Sequence, residues 1–158
     1  MTKALLLGDL VPNFTLPSDM GDDVNIQSLR GKNIVIYFYP KDDTPGCTIE
    51  AKDFSCSIDK FKDLNTVILG ISKDTIKKHE KFRTKHDLKH ILLSDETGEV
   101  CEMFGCWVEK SMYGKKYMGI ARRTFLVDTN GEIVKIWPDV KIAGHVDEVI
   151  KNIENEIK

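Results

Sequence analysis

The sequence predicts an α/β fold, a central mixed β-sheet flanked by helices, and three patterns carry that prediction. Two continuous apolar, β-branched runs, Asn33–Tyr39 and Thr66–Ser72, read as strands covered on both faces, as in the middle of an α/β sheet. Two apolar stripes recur at helical period, one through Cys47, Ala51, Phe54, Ile58 and Phe61, the other through Val146, Val149, Ile150, Ile153 and Ile157. Asn130-Gly131, between two late apolar runs, is a strong hairpin signal.

The elements follow in order. Turn-like Pro17–Asp23, between Phe14–Leu16 and Val24–Ile26, predicts a small N-terminal hairpin. The strand Asn33–Tyr39 runs into a loop, Pro40–Gly46, and then into the first striped helix, with Pro45 at its opening turn. Thr66–Ser72 is the second buried strand, and Asp74–His86 a Lys-rich helix capped by Asp or Ser. A short strand at Ile91–Leu93 and a helix near Glu99–Phe104 come next. Strands at Gly119–Val127 and Glu132–Trp137 flank the turn Asp128–Gly131, and the second striped helix closes the chain. The order β-α-β-α-β-α-β-β-α, with parallel crossovers first and a hairpin late, suggests a thioredoxin-like sandwich.

At 158 residues, without repeat, low-complexity run or linker, the chain is expected to form a single domain spanning 1–158. A net charge of -2 argues against a general nucleic-acid binder. The apolar patch Ala4–Leu7 is too short for a signal peptide's hydrophobic region or a membrane span, so no membrane partner and a cytoplasmic location are expected. In that compartment Cys47, Cys56, Cys101 and Cys106 read as free thiols, metal ligands or redox groups rather than as staples.

Cys47 is the position that carries chemistry. It falls in the first turn of a helix, beyond the C-terminal end of a sheet strand, where α/β folds place their sites. Unpaired N–H groups and the helix dipole favour an anion there, so a thiolate is stabilised. Even complete ionisation of an ordinary thiol gains only about thirty-fold at neutral pH, and Asp42, Asp43 and Glu50 oppose it. An efficient thiol catalyst therefore also needs donors and a cation on the reacting atoms. Thr44 and the N–H groups of Gly46 and Cys47 are local donors. Arg122 and Arg123, at the start of an apolar run, are the candidate cations; alternation puts them on opposite faces, and periodicity does not choose between them.

The segment Tyr39-Pro40-Lys41-Asp42-Asp43-Thr44-Pro45-Gly46-Cys47-Thr48-Ile49-Glu50 resembles the peroxidatic motif of peroxiredoxins, P-x-x-x-T-x-x-C. Together with Phe54, Trp107, Lys110–Gly119, Arg122-x-Thr124-Phe125-Leu126-Val127-Asp128 and Gly144-His145, it resembles the bacterioferritin-comigratory-protein, or peroxiredoxin Q, branch over nearly the whole chain. The resemblance implies a thioredoxin-like fold and a thiol peroxidase that reduces H2O2 and organic hydroperoxides through a cysteine sulfenic acid. It implies regeneration by thioredoxin or a small thiol, no cofactor, and a monomer or homodimer. It also implies Cys47, Thr44, Pro40 and Arg122 around the peroxide, with a substrate-binding role for Gly46 and Glu50; the Arg three residues before the strand Phe selects Arg122.

One departure stands out. Many members of this branch carry a resolving Cys five residues after the first, where this chain has Lys52; others place it in the following helix, and Asp74–His86 has none. Cys56 lies nine residues on, a rotation of about 900° and a rise of about 13.5 Å, so it reaches Cys47 only if the helix unwinds. Cys101 and Cys106 are distant in sequence, and all three read most simply as small buried hydrophobes, with a resolving role in reserve. A one-cysteine cycle closed by an external thiol is the simplest expectation. No metal site is expected, because His79, His86, His90 and His145 show no ligand spacing with the cysteines. A disulfide oxidoreductase would want Cys-x-x-Cys at the helix start, which Cys47 to Glu50 does not supply. A redox-sensing or interaction protein without turnover is the alternative on the same fold.

Overall fold

The computed structural model describes residues 4–156. β1 (Thr15–Ser18) and β2 (Gly21–Asn25) form the N-terminal hairpin, followed by a 3₁₀ turn at Ile26–Leu29 that the Asn25 side chain caps. Phe14 and Ile26, expected inside these strands, flank them instead and are joined by the Ile26 N–H donating to the Phe14 carbonyl at 3.0 Å. Then come β3 (Asn33–Phe38), α1 (Pro45–Cys56), α2 (Ile58–Asp63), β4 (Thr66–Ser72), α3 (Ile76–His86), β5 (Ile91–Ser94) and α4 (Glu99–Met103). β6 (Trp107–Met112), β7 (Lys115–Ile120), β8 (Arg123–Val127), β9 (Ile133–Trp137) and α5 (His145–Glu156) complete the order.

The main sheet runs β2-β1-β5-β4-β3-β8-β9. β3, β4 and β5 are parallel, while β8 and β9 join antiparallel, which makes the sheet mixed as expected for a thioredoxin-like α/β fold. Every residue of β3 is buried because helices cover both faces. Strand alternation then separates two cores. Ile34, Ile36 and Phe38 pack with Leu69, Phe104, Phe125, Cys101 and Cys106 on one side. Val35, Tyr37 and Tyr39 pack with Cys47, Ala51, Phe54, Phe61 and the buried face of α5 on the other. Gly70 lets the sheet admit the Tyr37 ring, since a Cβ there would stand 2.8 Å from the phenol.

Three expectations need correction. The first striped helix is two helices, broken at Ser57, whose N–H turns back to the Phe54 carbonyl at 3.2 Å in a tight final turn. α3 starts at Ile76 rather than Asp74, and its cap is Thr75, whose hydroxyl accepts from the Lys78 N–H at 3.2 Å. The strand expected at Gly119–Val127 is interrupted at Ala121-Arg122, and its first part belongs to a separate ribbon, β6–β7, paired only with itself. That ribbon leaves most of its side chains in water, up to 99% for Tyr113, so no apolar alternation announces it in the sequence. Along α5, Val146, Val149, Ile150 and Ile153 are buried as their spacing requires, and Ile157 lies outside the described residues. Among the described residues no helix is long and apolar enough to cross a membrane.

Candidate active site

The site is built where β3 leaves the sheet. Tyr39 is still buried, half-buried Pro40 opens the loop, Asp43 takes the left-handed conformation with φ 58°, and Thr44 returns to extended backbone as the N-cap of α1. Pro45 occupies the first turn, where a missing N–H costs nothing. Thr48 N–H donates to the Thr44 carbonyl at 2.8 Å, so Gly46 and Cys47 carry the first-turn N–H groups that a helix leaves without an intrahelical partner. Thr44 is the N-cap by backbone position but does not cap with its side chain; its hydroxyl donates to the Lys41 carbonyl at 2.8 Å, tightening the loop.

Cys47 is 1% exposed, and its Sγ accepts an N–H from Arg122 Nη2 at 3.4 Å. The other arm of the same guanidinium, Nη1, donates to Glu50 Oε1 at 2.7 Å. Glu50 stands one turn after Cys47 on α1, so one planar fork spans both side chains. Burial pushes the Glu50 carboxyl up to about 7 although Arg122 pulls it down, and Asp53 adds to the rise. The geometry explains why burial wins: Oε2 is buried and has no hydrogen-bond partner among the described residues. Burial alone would lower Arg122, but Glu50 and Cys47 outweigh it and hold the guanidinium above its ordinary value. Gly46 leaves the room this fork needs, since a Cβ there would lie 3.0 Å from Ile142 Cδ1 and 3.3 Å from Arg122 Nη2.

The choice between the two arginines, open on alternation alone, follows from the break before β8. Arg122 lies ahead of the strand and turns to Cys47, whereas Arg123 begins the strand and donates to the Gly105 and Pro138 carbonyls at 2.7 and 3.0 Å. The acidic neighbours are drawn off as well. Asp42 accepts from the Tyr39 hydroxyl at 2.6 Å and faces His79 Nδ1 at 2.6 Å, and Asp43 pairs with Lys85 and His86. Sequence reasoning missed Lys110, a half-buried second cation on β6. Burial and Arg122 push its ammonium below the ordinary value, and Cys47 pulls it back up, so it feels both charges. Its only sequence signal was its place in the Lys110–Gly119 stretch.

The other cysteines divide. Cys101 and Cys106 are fully buried in the opposite core, with the sheet between them and Cys47. Cys106 N–H donates to the Cys101 carbonyl at 2.8 Å behind left-handed Gly105, a Schellman end to α4 that explains their pairing. Burial pushes both thiols up, Cys106 to about 12. Cys56, expected to be buried, is exposed at the end of α1 beside Asp53, Ser57 and Asp147.

The comparisons with known proteins give the family and the fold. The AhpC/TSA family matches residues 7–136. A putative Bcp peroxiredoxin of Coxiella burnetii is 49% identical over 144 residues, covering 91% of this chain and 95% of that protein. The Bcp peroxiredoxin of Bacillus subtilis is 44% identical over 149 residues, covering 94% and 95%. A solved structure of the Xanthomonas campestris bacterioferritin comigratory protein, which concerns that protein's alkyl peroxide reduction, superposes with a TM-score of 0.87 at 39% identity over 92% of each chain. With that family model matching most of its length and relatives at these identities over nearly all of it, the chain belongs to the AhpC/TSA family, within its bacterioferritin-comigratory-protein or peroxiredoxin Q branch.

Proposed function

We propose that this thiol peroxidase works through Cys47, with Arg122 holding both the thiolate and the peroxide. The observation that carries the reading is the contact of Arg122 Nη2 with Cys47 Sγ at 3.4 Å, made by a guanidinium that Glu50 anchors from its other arm. Cys47, as thiolate, attacks the terminal oxygen of R–O–O–H. The O–O bond breaks, the sulfur keeps OH as a sulfenic acid, and the departing RO⁻ takes a proton from solvent to become ROH. Arg122 and the N–H groups of Gly46 and Cys47 stabilise the charge as it moves from sulfur to the leaving oxygen. Thr44 and Pro40 shape the pocket mouth.

Regeneration then comes from outside the chain. One thiol condenses with the sulfenic acid, releasing water and forming a mixed disulfide, and a second thiol frees Cys47. Thioredoxin or a small thiol fits this role, in a single-domain protein working in the cytoplasm as a monomer or homodimer. Separation of Cys101 and Cys106 by the sheet, and the place of Cys56 at the far end of α1, support a one-cysteine cycle. The non-turnover alternative is not favoured, because the arginine fork and the first-turn donors are in place.

Peptide-mapping mass spectrometry on reduced protein, treated briefly with one equivalent of H2O2, tests the reading. Selective oxidation at Cys47 with loss of the peroxide is expected. A reduced Cys47 beside persisting peroxide would sink it.

A further inference from the structure

His79 on α3 is fully buried, and each ring nitrogen faces a group that accepts: Asp42 Oδ2 stands 2.6 Å from Nδ1 and the Leu93 carbonyl 2.9 Å from Nε2. A neutral imidazole has one N–H and would leave one of these contacts without a proton; the imidazolium donates to both. Asp42 is arranged to receive that charge. The Tyr39 hydroxyl donates to Oδ1 at 2.6 Å. The Asp42 backbone N–H donates to Asp74 Oδ2 at 2.8 Å, and that oxygen also takes the Ser72 hydroxyl at 2.8 Å.

Asp42 sits in the middle of the loop that delivers Thr44 and the first turn of α1. The loop is thus tied to β3 through Tyr39, to β4 through Asp74 and Ser72, and to α3 through His79. We propose that His79, as a buried imidazolium bonded to Asp42, is a positioning residue for the peroxide reaction, fixing the loop that places Thr44, Gly46 and Cys47. This rests on the reading of Cys47 as the reacting thiol.

The groups around the ring agree. Burial alone would lower His79, but the Asp42 hydrogen bond and charge, the Leu93 carbonyl and the Asp74 charge outweigh it and hold the imidazole above its ordinary value. Lys41, Lys78 and Lys81 line the same surface hollow from outside and are exposed, so their charges are screened by water. His90 and His145 are the contrast: burial holds them down at about 3 and about 4, and each bonds a hydroxyl rather than a carboxylate. Because the folded value of His79 is raised, its contribution is complete below the ordinary histidine value and disappears as pH climbs through the raised one. The clamp is therefore closed on the acid side of the raised value and released as pH climbs through it.

Two measurements test this. Ring ¹⁵N NMR at pH 7 should show both His79 nitrogens protonated, whatever the protein does with peroxide; a neutral-ring signature overturns the proposal. The rate of Cys47 oxidation by H2O2 is then followed against pH, on protein verified as folded, for wild type, His79→Leu and the double variant Asp42→Ala/His79→Leu. The single variant, with a buried carboxylate stripped of its partner, should oxidise Cys47 about ten-fold more slowly at pH 7. The double variant should recover folding stability yet lack the alkaline decline that wild type shows. A folded His79→Leu protein with the wild-type rate and the wild-type pH profile would reduce the pair to a structural contact and overturn the positioning role. Wild-type protein whose Cys47 resists peroxide would remove the function reading and the positioning role with it, while the ring spectrum would still decide the buried charge.

Discussion

Arg122 and Cys47 are 75 positions apart in the chain, and the guanidinium Nη2 stands 3.4 Å from the thiol sulfur. The contact depends on the break that places Arg122 just ahead of β8, with its other arm held by Glu50.

Arg122→Ala should slow Cys47 oxidation by roughly 10²- to 10³-fold, the scale seen when one preorganised donor to a developing charge is lost. Arg122→Lys should recover little of this, because an ammonium cannot bridge Glu50 and Cys47 as a planar fork does. Arg123→Ala should leave the rate near wild type and cost about 1 kcal/mol of stability through its carbonyl contacts. Stopped-flow fluorescence and urea unfolding separate the two effects.

Glu50 gives stability a pH dependence of known sign. Its folded pKa, about 7, lies above the unfolded value near 4.5, so the folded state holds the extra proton and stability falls as pH rises between them. Glu50→Gln should flatten that fall and make the protein more stable at pH 8 by about 1–3 kcal/mol. Urea unfolding at pH 5 and pH 8 measures it, and a variant less stable than wild type at pH 8 would contradict the assignment.

At Gly46 the backbone would tolerate alanine but the site would not, because the new methyl meets Ile142 Cδ1 and the Arg122 guanidinium. Gly46→Ala should slow oxidation about ten-fold by displacing the fork. Adding Ile142→Val, which removes Cδ1, should return part of the rate. Equal rates in the single and double variants would show that the crowding lies elsewhere.

Cysteine accessibility should follow burial. Brief treatment of the native protein with iodoacetamide should label Cys56 and leave Cys101 and Cys106 unmodified until denaturant is added. Peroxide should give no disulfide from Cys47 to Cys101 or Cys106 while the sheet is intact. A native Cys47–Cys101 or Cys47–Cys106 bridge in the peptide map would overturn this.

Much of the fold was legible because the elements that carry it are buried on a period. β3 and β4 are apolar throughout since both faces are covered, and α5 shows its stripe because only one side meets the core. The β6–β7 ribbon was illegible for the converse reason: it packs too little to need a pattern. The cysteine and its loop were legible as a local motif, and Arg122 was selected by resemblance rather than by alternation. Glu50 as the anchor of Arg122, Lys110 as a second cation and His79 as the partner of Asp42 were not legible. Each is a pairing across distant segments, and a single sequence records the members of such a pair without recording that they meet.

The central sheet has one more consequence. It is a partition between two sulfur compartments, and no thiol from the sealed side can reach the oxidised sulfur without the sheet coming apart. With Cys56 held at the far end of α1 and an external thiol closing the proposed cycle, how long the protein stays oxidised would be decided by its surroundings. Its resting state should report the supply of reducing thiol as faithfully as the supply of peroxide, and in a thiol-poor medium one exposure would leave a lasting record.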